Sequence, residues 1–371
     1  MFSAIVTIRV LLIFLWFIIL ILLVECIPKL KANAVIYYLN FGVVVGQGIF
    51  PAWFFQGIQR MKFVTFVNIL AKLIFTLLIL FIVNEKEAIK NEKSKIKSMK
   101  TWKFKAENVR DFGWASSKKF IWDAMTVEQD SKNVLAMSFY PKEGNPLWEQ
   151  YSTKAVAHTI KSYSKYTFDY PYPVAISIHS KSIGMEYPMI CFNGGRPDKD
   201  GTYSERTKYG MISVIIHEVG HNYFPMIVNS DERQWTWMDE GLNTFLQFLA
   251  EKEWDYNYPS RRGPAYKIVN YMKGDKSNIS PIMTNSESIH QFGNNAYGKP
   301  AAALNILRET IMGPELFDFS FKTYAKRWKF KHPTPEDFFR TMEDASAIDL
   351  DWFWRGWFYS CLLYTSPSPR D

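Results

Sequence analysis

Cysteine and histidine are both scarce in this chain of 371 residues, which holds three of the first and six of the second. Cys26, Cys191 and Cys361 lie far apart, so the sequence predicts neither a disulfide framework nor a zinc cluster built from cysteines. No internal repeat is visible. The length allows two or three domains, and the composition indicates a globular chain that is unusually rich in aromatic residues.

Net charge is almost absent from most of the chain, although the whole carries a formal charge of +8. Residues 1–100 hold 12 of the 44 basic and 4 of the 36 acidic residues, which leaves 32 of each sign beyond residue 100. A folded basic face for nucleic acid is therefore not expected. The basic excess lies beside apolar runs and in a short lysine-rich connector.

Long apolar runs are concentrated in the first 84 residues, over residues 10–27, 34–55 and 64–83. The first and third are close to the ~20 residues that span a bilayer. We therefore predict an all-α transmembrane segment of about three helices over residues 1–84, with a membrane as partner through residues 10–83. A cleaved signal peptide fits less well, because Glu25 stands where a small residue would precede the cut. A buried hairpin of a soluble protein is the other alternative.

The same segment contains the stretch GQGIFPAWFFQG over residues 46–57. This stretch resembles part of a polysaccharide (O-antigen) flippase, a transporter with many membrane spans. The resemblance covers about 80 residues of this chain, so we expect no transport by it. Lysine, glutamate and asparagine dominate residues 85–100, which we interpret as a charged linker.

A metal-binding motif stands at His217-Glu218-Val219-Gly220-His221, inside a mostly apolar segment. Residues four apart share one face of a helix, so both imidazoles can reach one zinc ion while Glu218 points at the water. The motif alone is also compatible with two polar residues on a helix whose hydrogen bonds are made within the protein, without a metal. A catalytic zinc needs a third protein ligand and an open position.

The third ligand is expected at Glu240, which follows His221 after eighteen intervening residues. Because HExxH followed by Glu at this spacing is the signature of the gluzincin zinc aminopeptidases, the segment from about residue 88 to residue 360 resembles that family. Alanyl aminopeptidase and leukotriene hydrolase belong to the same group. The resemblance implies that His217, His221 and Glu240 hold one Zn²⁺ per chain. It also implies that Glu218 acts as general base toward the attacking water and later protonates the leaving amine.

The resemblance implies two further elements of the site. A tyrosine in a Tyr-x-Lys-Gly setting donates to the developing oxyanion in the family, and Tyr297 is its counterpart here, although Pro300 replaces the glycine. The family's Gly-x-Met-Glu-Asn strand corresponds to Gly184, Met185 and Glu186 as the substrate-binding residues. Glu186 would bind the free amino group of a peptide substrate.

Two departures from the family's strand leave the reaction partly open, because Ile183 and Tyr187 occupy its first and last positions. An aminopeptidase that hydrolyses N-terminal peptide bonds is the favoured interpretation. A zinc endopeptidase, a binding scaffold without zinc and an inactive truncated or chimeric fragment are the alternatives. The partners are then peptides with a free N-terminus.

The expected fold is α+β, with a thermolysin-like zinc peptidase catalytic domain over residues 123–360 and a mostly helical second lobe. Glu186 should lie on an edge strand of a small mixed sheet. Residues 101–122 are interpreted as the remnant of an N-terminal β-domain, with strands at residues 102–104 and 120–122. Residues 361–371 resemble a translated sequencing adaptor and are treated as a non-native tail.

The lysines that flank the apolar runs indicate on which side of a membrane the peptidase domain would lie. If three spans are present, the basic excess would place the peptidase in the cytoplasm. Bacterial peptidases of this kind act more often in the cell envelope, which is the expected location of the parent enzyme. The N-terminal helices are expected in the membrane.

Overall fold

The computed structural model describes residues 2–31, 34, 37–38, 41, 101–130, 132–181 and 184–360. The chain divides into two compact units, Met1–Lys103 and Phe104–Asp371. The flippase-like stretch over residues 46–57, the linker over residues 85–100 and the tail over residues 361–371 lie outside the described residues.

The first unit contains helix α1, Phe2–Cys26, and the single turn α2, Pro28–Lys31. Within the described residues, no helix combines the length and the apolar character that a membrane crossing requires. The apolar run at residues 10–27 is thus confirmed as helical almost throughout, whereas its membrane crossing is not supported. The run at residues 64–83 lies outside the described part, as does most of residues 34–55.

The second unit is built on a mixed sheet of five strands in the order β1-β2-β3-β5-β4. β1 pairs with β2 and β4 with β5 in antiparallel fashion, whereas β2–β3 and β3–β5 are parallel. The predicted mixed sheet is confirmed, and β4, which carries Glu186, lies at its edge. The strands are β1 (Phe120–Glu128), β2 (Asn133–Pro141), β3 (Val174–His179), β4 (Gly184–Tyr187) and β5 (Ile190–Asn193).

The start of the sheet differs in part from the prediction. Residues 102–104 form no strand, and the side chain of Trp102 is 74% exposed, because no partner strand lies beside this segment in the described residues. The strand at residues 120–122 is confirmed as the beginning of β1. Its Trp122 stacks on Phe139 of β2, with ring centroids 6.3 Å apart. The boundary that we placed between residues 122 and 123 therefore falls inside one continuous strand.

Helices cover the sheet and form the rest of the unit, as the predicted helical lobe requires. α3 and α4 pack against each other, α3 against β1, β2 and β3 and α4 against β3, β4 and β5. The helices are α3 (Leu147–Tyr166), α4 (Glu205–Gly220), α5 (Leu242–Trp254), α6 (Val269–Lys273), α7 (Lys299–Ile306), α8 (Pro314–Trp328), α9 (Pro335–Ser346) and α10 (Asp351–Trp354). Wide turns at Trp237–Gly241 and Gly293–Gly298 lead into α5 and α7.

The core of the second unit is continuous and rich in aromatic rings. Trp237 is fully buried and stacks on Phe339, with ring centroids 5.8 Å apart, while Phe358 meets it edge-on at 4.8 Å. Burying such rings stabilises the fold by about 1.5–3 kcal/mol per side chain. Since Trp237 is only three residues from Glu240, this packing holds the wide turn before α5 in place.

Candidate metal centre and active site

Helix α4 carries the HExxH motif at its C-terminal end, next to the sheet. Ser204 begins the helix, because its side chain accepts a hydrogen bond from the Thr207 backbone N–H at 3.1 Å. The apolar face that holds the helix in the core consists of Met211, Ile212, Ile215, Ile216 and Val219. His217 and His221 therefore project together, one turn apart, at the end of a buried helix.

Gly220, inside the motif, allows two other helices to approach α4 closely. A Cβ at this position would lie 2.2 Å from Oδ1 of Asn243 on α5 and 2.4 Å from the hydroxyl of Tyr163 on α3. The Tyr163 hydroxyl donates to Asn243 Oδ1 at 2.8 Å, and Asn243 Nδ2 donates to the His217 carbonyl at 2.8 Å. This buried network attaches the histidine-bearing turn to α3 and α5.

Glu240 comes to the two histidines through the wide turn before α5. Its Oε2 lies 3.0 Å from His217 Nε2 and 3.4 Å from His221 Nε2, and the two Nε2 atoms are 3.1 Å apart. Gly241 lets this turn pack on α7, since a Cβ there would lie 2.6 Å from Cγ of Pro300. The three predicted ligands are thus brought together, and the proline that departs from the family pattern forms part of the packing.

The Nδ1 atom of each histidine, which points away from Glu240, lies close to an oxygen acceptor of its own. His217 Nδ1 lies 2.9 Å from Gln247 Oε1, and Gln247 Nε2 donates to Glu251 Oε1 at 2.8 Å. His221 Nδ1 lies 3.0 Å from the Phe224 carbonyl and 2.9 Å from Asp239 Oδ1. Since acceptors lie at both Nδ1 atoms, both Nε2 atoms, which face Glu240, are available as metal ligands.

This donor set fits a zinc ion. Three possible ligand atoms, Nε2 of His217, Nε2 of His221 and Oε2 of Glu240, lie 3.0–3.4 Å from one another, a spacing that a metal ion between them would satisfy. Corners of a tetrahedral zinc site with ligands at about 2.0–2.2 Å lie about 3.3–3.6 Å apart. Burial alone would lower the pKa of His221, but Asp239 and Glu240 outweigh it and raise that pKa, so their carboxylates favour positive charge here.

Glu218 lies beside the same group and against the edge strand. Its Oε1 would be 2.0 Å from a Cβ on Gly184, so glycine is required where β4 passes the carboxylate. Burial raises the pKa of Glu218 to about 7, while the nearby His221 and His217 act in the opposite direction. Its Oε2 is buried without a hydrogen-bond partner in the described residues, and it is free to act on a substrate proton.

Glu186 on β4 is the next carboxylate along this side of the site. Ligand atoms of Glu186, Glu218 and His221 all lie within 4.8 Å of one another. Met185 is 41% exposed, beside Glu186 on the same short strand. The structure thus places Gly184, Met185 and Glu186 where the sequence predicted them, at the edge strand next to the HExxH helix.

Tyr297 closes the other side of the site from the wide turn before α7. Its hydroxyl donates to Glu240 Oε1 at 2.5 Å, and its ring stacks on the ring of His217, with centroids 5.7 Å apart. Burial raises the pKa of Tyr297, and the Glu240 carboxylate adds to the effect, so the hydroxyl keeps its proton. Asn295 and the buried Lys299 anchor the turn, since both donate to the Ser280 carbonyl.

A cavity of about 370 Å³ opens beside His217, between α4, α5 and the loop before α6. Its walls include Gly184, Ser213, His217, Glu218, Thr244, Gln247, Phe248, Glu251, Arg261, Arg262 and Tyr297. Glu186 is not among the residues that line it.

Sequence reasoning missed Gln247, the Tyr163–Asn243 pair and Arg262. Gln247 stands seven positions after Glu240 and so on the same face of a helix, which is a signal that could have been used. Tyr163 and Arg262 left no such signal, because each meets the site from a different helix or loop. Asp239, which directly precedes the ligand Glu240 in the sequence, contacts His221.

Comparison with known proteins identifies the family. The Peptidase family M1 domain matches residues 151–357, more than half of the chain and the whole of the site described above. The chain belongs to peptidase family M1. Membership implies a zinc cofactor, in agreement with the donor set at His217, His221 and Glu240.

Curated M1 relatives match over part of their length. Glutamyl aminopeptidase of Sus scrofa is 32% identical over 148 residues, which is 37% of this chain and 15% of the relative. Probable aminopeptidase 1 of Sulfurisphaera tokodaii is 26% identical over 219 residues, 56% of this chain and 28% of the relative. The chain thus spans less than a third of the curated relatives that it matches.

Solved M1 structures share the fold. The M1 zinc metallopeptidase from Deinococcus radiodurans superposes with a TM-score of 0.53 at 17% identity, over 67% of this chain and 54% of that one. The aminopeptidase A of Legionella pneumophila, in a complex with aspartic acid, gives a TM-score of 0.51 at 15% identity. The expected thermolysin-like zinc peptidase fold therefore holds at the level of the M1 catalytic fold.

Gln247 supports the first testable prediction at this M1 site. We expect Gln247→Ala to weaken zinc binding about 10- to 100-fold, because His217 Nδ1 loses the acceptor that fixes its ring and tautomer. Titration with a fluorescent zinc chelator measures the change. Gln150→Ala, on α3 and exposed, is the matched control. An unchanged zinc affinity in Gln247→Ala would show that the ring is held by its neighbours alone.

Proposed function

We propose that the chain is a zinc-dependent aminopeptidase that hydrolyses the first peptide bond of substrates with a free N-terminus. The observation that carries this proposal is the position of the Glu186 carboxylate beside the catalytic base. The N-terminal amine is two bonds from its own carbonyl carbon, at about 2.5 Å. A carboxylate that binds this amine must therefore lie within a few ångströms of the reacting centre, as Glu186 does.

Each residue then has a chemical task. His217, His221 and Glu240 would hold the metal, and a zinc ion bound there would supply Lewis acidity toward the carbonyl and lower the pKa of water. Glu218 takes the proton of the attacking water at its carboxylate and delivers it to the leaving amine. Its buried position, with the pKa raised to about 7, suits both directions of transfer.

Tyr297 and Glu186 orient the substrate. The hydroxyl of Tyr297 keeps its proton and can donate it in a hydrogen bond to the oxygen that becomes negative during attack. Its ring, stacked on that of His217, keeps the hydroxyl at the site, and donation to the substrate requires the O–H to turn away from Glu240 Oε1, to which it now donates. Glu186 forms a charge-assisted hydrogen bond with the substrate ammonium, which sets the cut one residue from the end.

The test compares free and blocked N-termini on the full chain loaded with zinc. Ala-Ala-Ala should be cleaved, whereas N-acetyl-Ala-Ala-Ala should not, and a chelator should abolish cleavage. Cleavage of both peptides at similar rates would indicate the endopeptidase instead. Absence of cleavage by a chain that holds zinc would indicate the inactive alternative.

Glu186 provides a sharper version of this test. We expect Glu186→Gln to lower kcat/KM for Ala-Ala-Ala about 10- to 100-fold, mainly through KM, because the ammonium loses its charged partner. Glu149→Gln, an exposed residue of α3, is the control that should keep the wild-type value. Equal values for both variants would contradict the role of Glu186.

The cellular compartment of the enzyme, for which the cell envelope is expected, stays a prediction.

A further inference from the structure

The cavity beside His217 contains a cation, Arg262, that forms no ion pair among the described residues. Burial lowers the pKa of Arg262, and the carboxylates of Glu240 and Glu251 act in the opposite direction from beyond ion-pair distance. Arg262 lines this cavity with its side chain half-buried. Its guanidinium lies over the ring of Tyr297, 4.5 Å from the centroid. Within residues 101–130, 132–181 and 184–360 it donates no hydrogen bond and forms no ion pair. The five N–H donors of this half-buried guanidinium are therefore available to water or to the acceptors of a ligand.

The loop that carries Arg262 is held close to α5 by the next residue. Gly263 has φ +118, and a Cβ there would lie 2.4 Å from Cγ of Phe248, which also lines the cavity. The backbone conformation and the close approach both require glycine. Arg261 lines the same cavity and adds a second positive charge. The two arginines are thus placed at the cavity by the fold.

Two acidic side chains, Glu218 and Glu251, line the cavity, and neither forms an ion pair with Arg261 or Arg262 in the described residues. Glu251 is buried, and its Oε1 accepts from Ser213 Oγ and Gln247 Nε2, both at 2.8 Å. Burial raises the pKa of Glu251, which favours its neutral form. Glu218 has its Oε1 close to Gly184 and its Oε2 without a hydrogen-bond partner in the described residues. Among the lining residues, the donors without a hydrogen-bond acceptor in the described part of the chain are those of Arg262 and Arg261 and the hydroxyl of Thr244.

We propose that Arg262 binds a carboxylate of the peptide substrate, on the residue that follows the cleaved bond, with Arg261 adding positive charge. This proposal rests on the proposed aminopeptidase function. Glu186 binds the amino end outside the cavity lining, so the rest of the peptide is available to enter the cavity. A planar guanidinium matches a carboxylate with two parallel hydrogen bonds. The carboxylate is either the C-terminus of a dipeptide or an acidic side chain.

Two matched pairs of substrates distinguish these sources on the full chain with zinc. Ala-Ala against Ala-Ala-amide tests the C-terminal carboxylate, and Ala-Glu-amide against Ala-Gln-amide tests the side chain. We expect kcat/KM to favour the carboxylate about 10- to 100-fold in at least one pair. Arg262→Gln should bring that ratio to about one, and Arg262→Lys should retain part of it. Arg340→Gln, an exposed charge on α9, should keep the wild-type ratio.

The ratio of kcat/KM between the carboxylate substrate and its neutral partner distinguishes a binding role of Arg262 from a purely structural one. If Arg262 only supports the ring of Tyr297, Arg262→Gln lowers the rate for all four peptides and leaves both ratios unchanged, which overturns the proposal. Ratios near one in the wild-type chain overturn it as well.

A second readout does not depend on turnover. Calorimetry with analogues of the same pairs, in which a methyleneamine replaces the cleavable amide, should give the same preference in Kd. If the zinc-loaded chain binds the analogues with this preference but cleaves no peptide, the aminopeptidase proposal fails while the carboxylate site stands. If it cleaves the peptides without preference, the carboxylate proposal alone fails.

Discussion

The variant Glu218→Gln is expected to lower kcat for Ala-Ala-Ala about 10²- to 10⁴-fold while the zinc content stays unchanged. Glutamine has the shape of glutamate but cannot accept the proton of the attacking water. The close approach of residue 218 to Gly184 is preserved, since the two side chains are isosteric. Initial rates by chromatography of the released alanine, with zinc measured on the same samples, check both parts of this expectation.

Glu315→Gln, an exposed residue of α8, is the matched control and should keep the wild-type kcat. A Glu218→Gln chain that retains kcat within a few-fold would contradict the assignment of Glu218 as the base. A chain that loses zinc together with activity would place Glu218 among the groups that hold the metal, so the zinc measurement decides between the two roles.

The variant His217→Ala is expected to reduce the bound zinc from about one ion per chain to background, because a structural or catalytic zinc site needs at least three protein ligands. Two ligands would remain, and the facing acceptors His221 and Glu240 would lose the ion that joins them. Mass spectrometry of the metal in the purified full chain measures this loss. Activity should disappear with the metal.

Thermal unfolding adds a readout that does not depend on activity. A bound ligand stabilises the folded state, so a chelator should lower the Tm of the wild-type chain and leave that of His217→Ala unchanged. His332→Ala, whose ring lies at the surface near the Asn229 carbonyl, should behave as the wild type. A folded His217→Ala chain that still holds one zinc ion would refute the proposed ligand set.

The site could be predicted from sequence where its geometry is local. His217 and His221 stand four residues apart on a helix, and helical periodicity alone brings their rings to one face. Glu218 follows for the same reason. Glu240 and Glu186 were found by spacing and by resemblance to a family, and the structure brings both to the histidines.

Elements with little local signal were predicted less well. Residues 102–104 have the aromatic pattern of a strand but form none, because a strand requires a partner that the pattern does not specify. The boundary at residues 122 and 123 failed to follow β1, whose extent depends on pairing with β2. The apolar run at residues 10–27 predicted helix α1, while its membrane crossing found no support.

The sequence by itself determined the ligand types, their order and the helix that presents two of them, because these properties arise within a few turns of chain. Only the tertiary structure decided which groups support them. Gln247 reaches His217 from α5, Tyr163 reaches Asn243 from α3, and Arg262 meets the cavity from a loop held by Gly263. These contacts join residues 15 to 80 positions apart in the chain. Packing of helices against one sheet sets such distances, and no local pattern contains them.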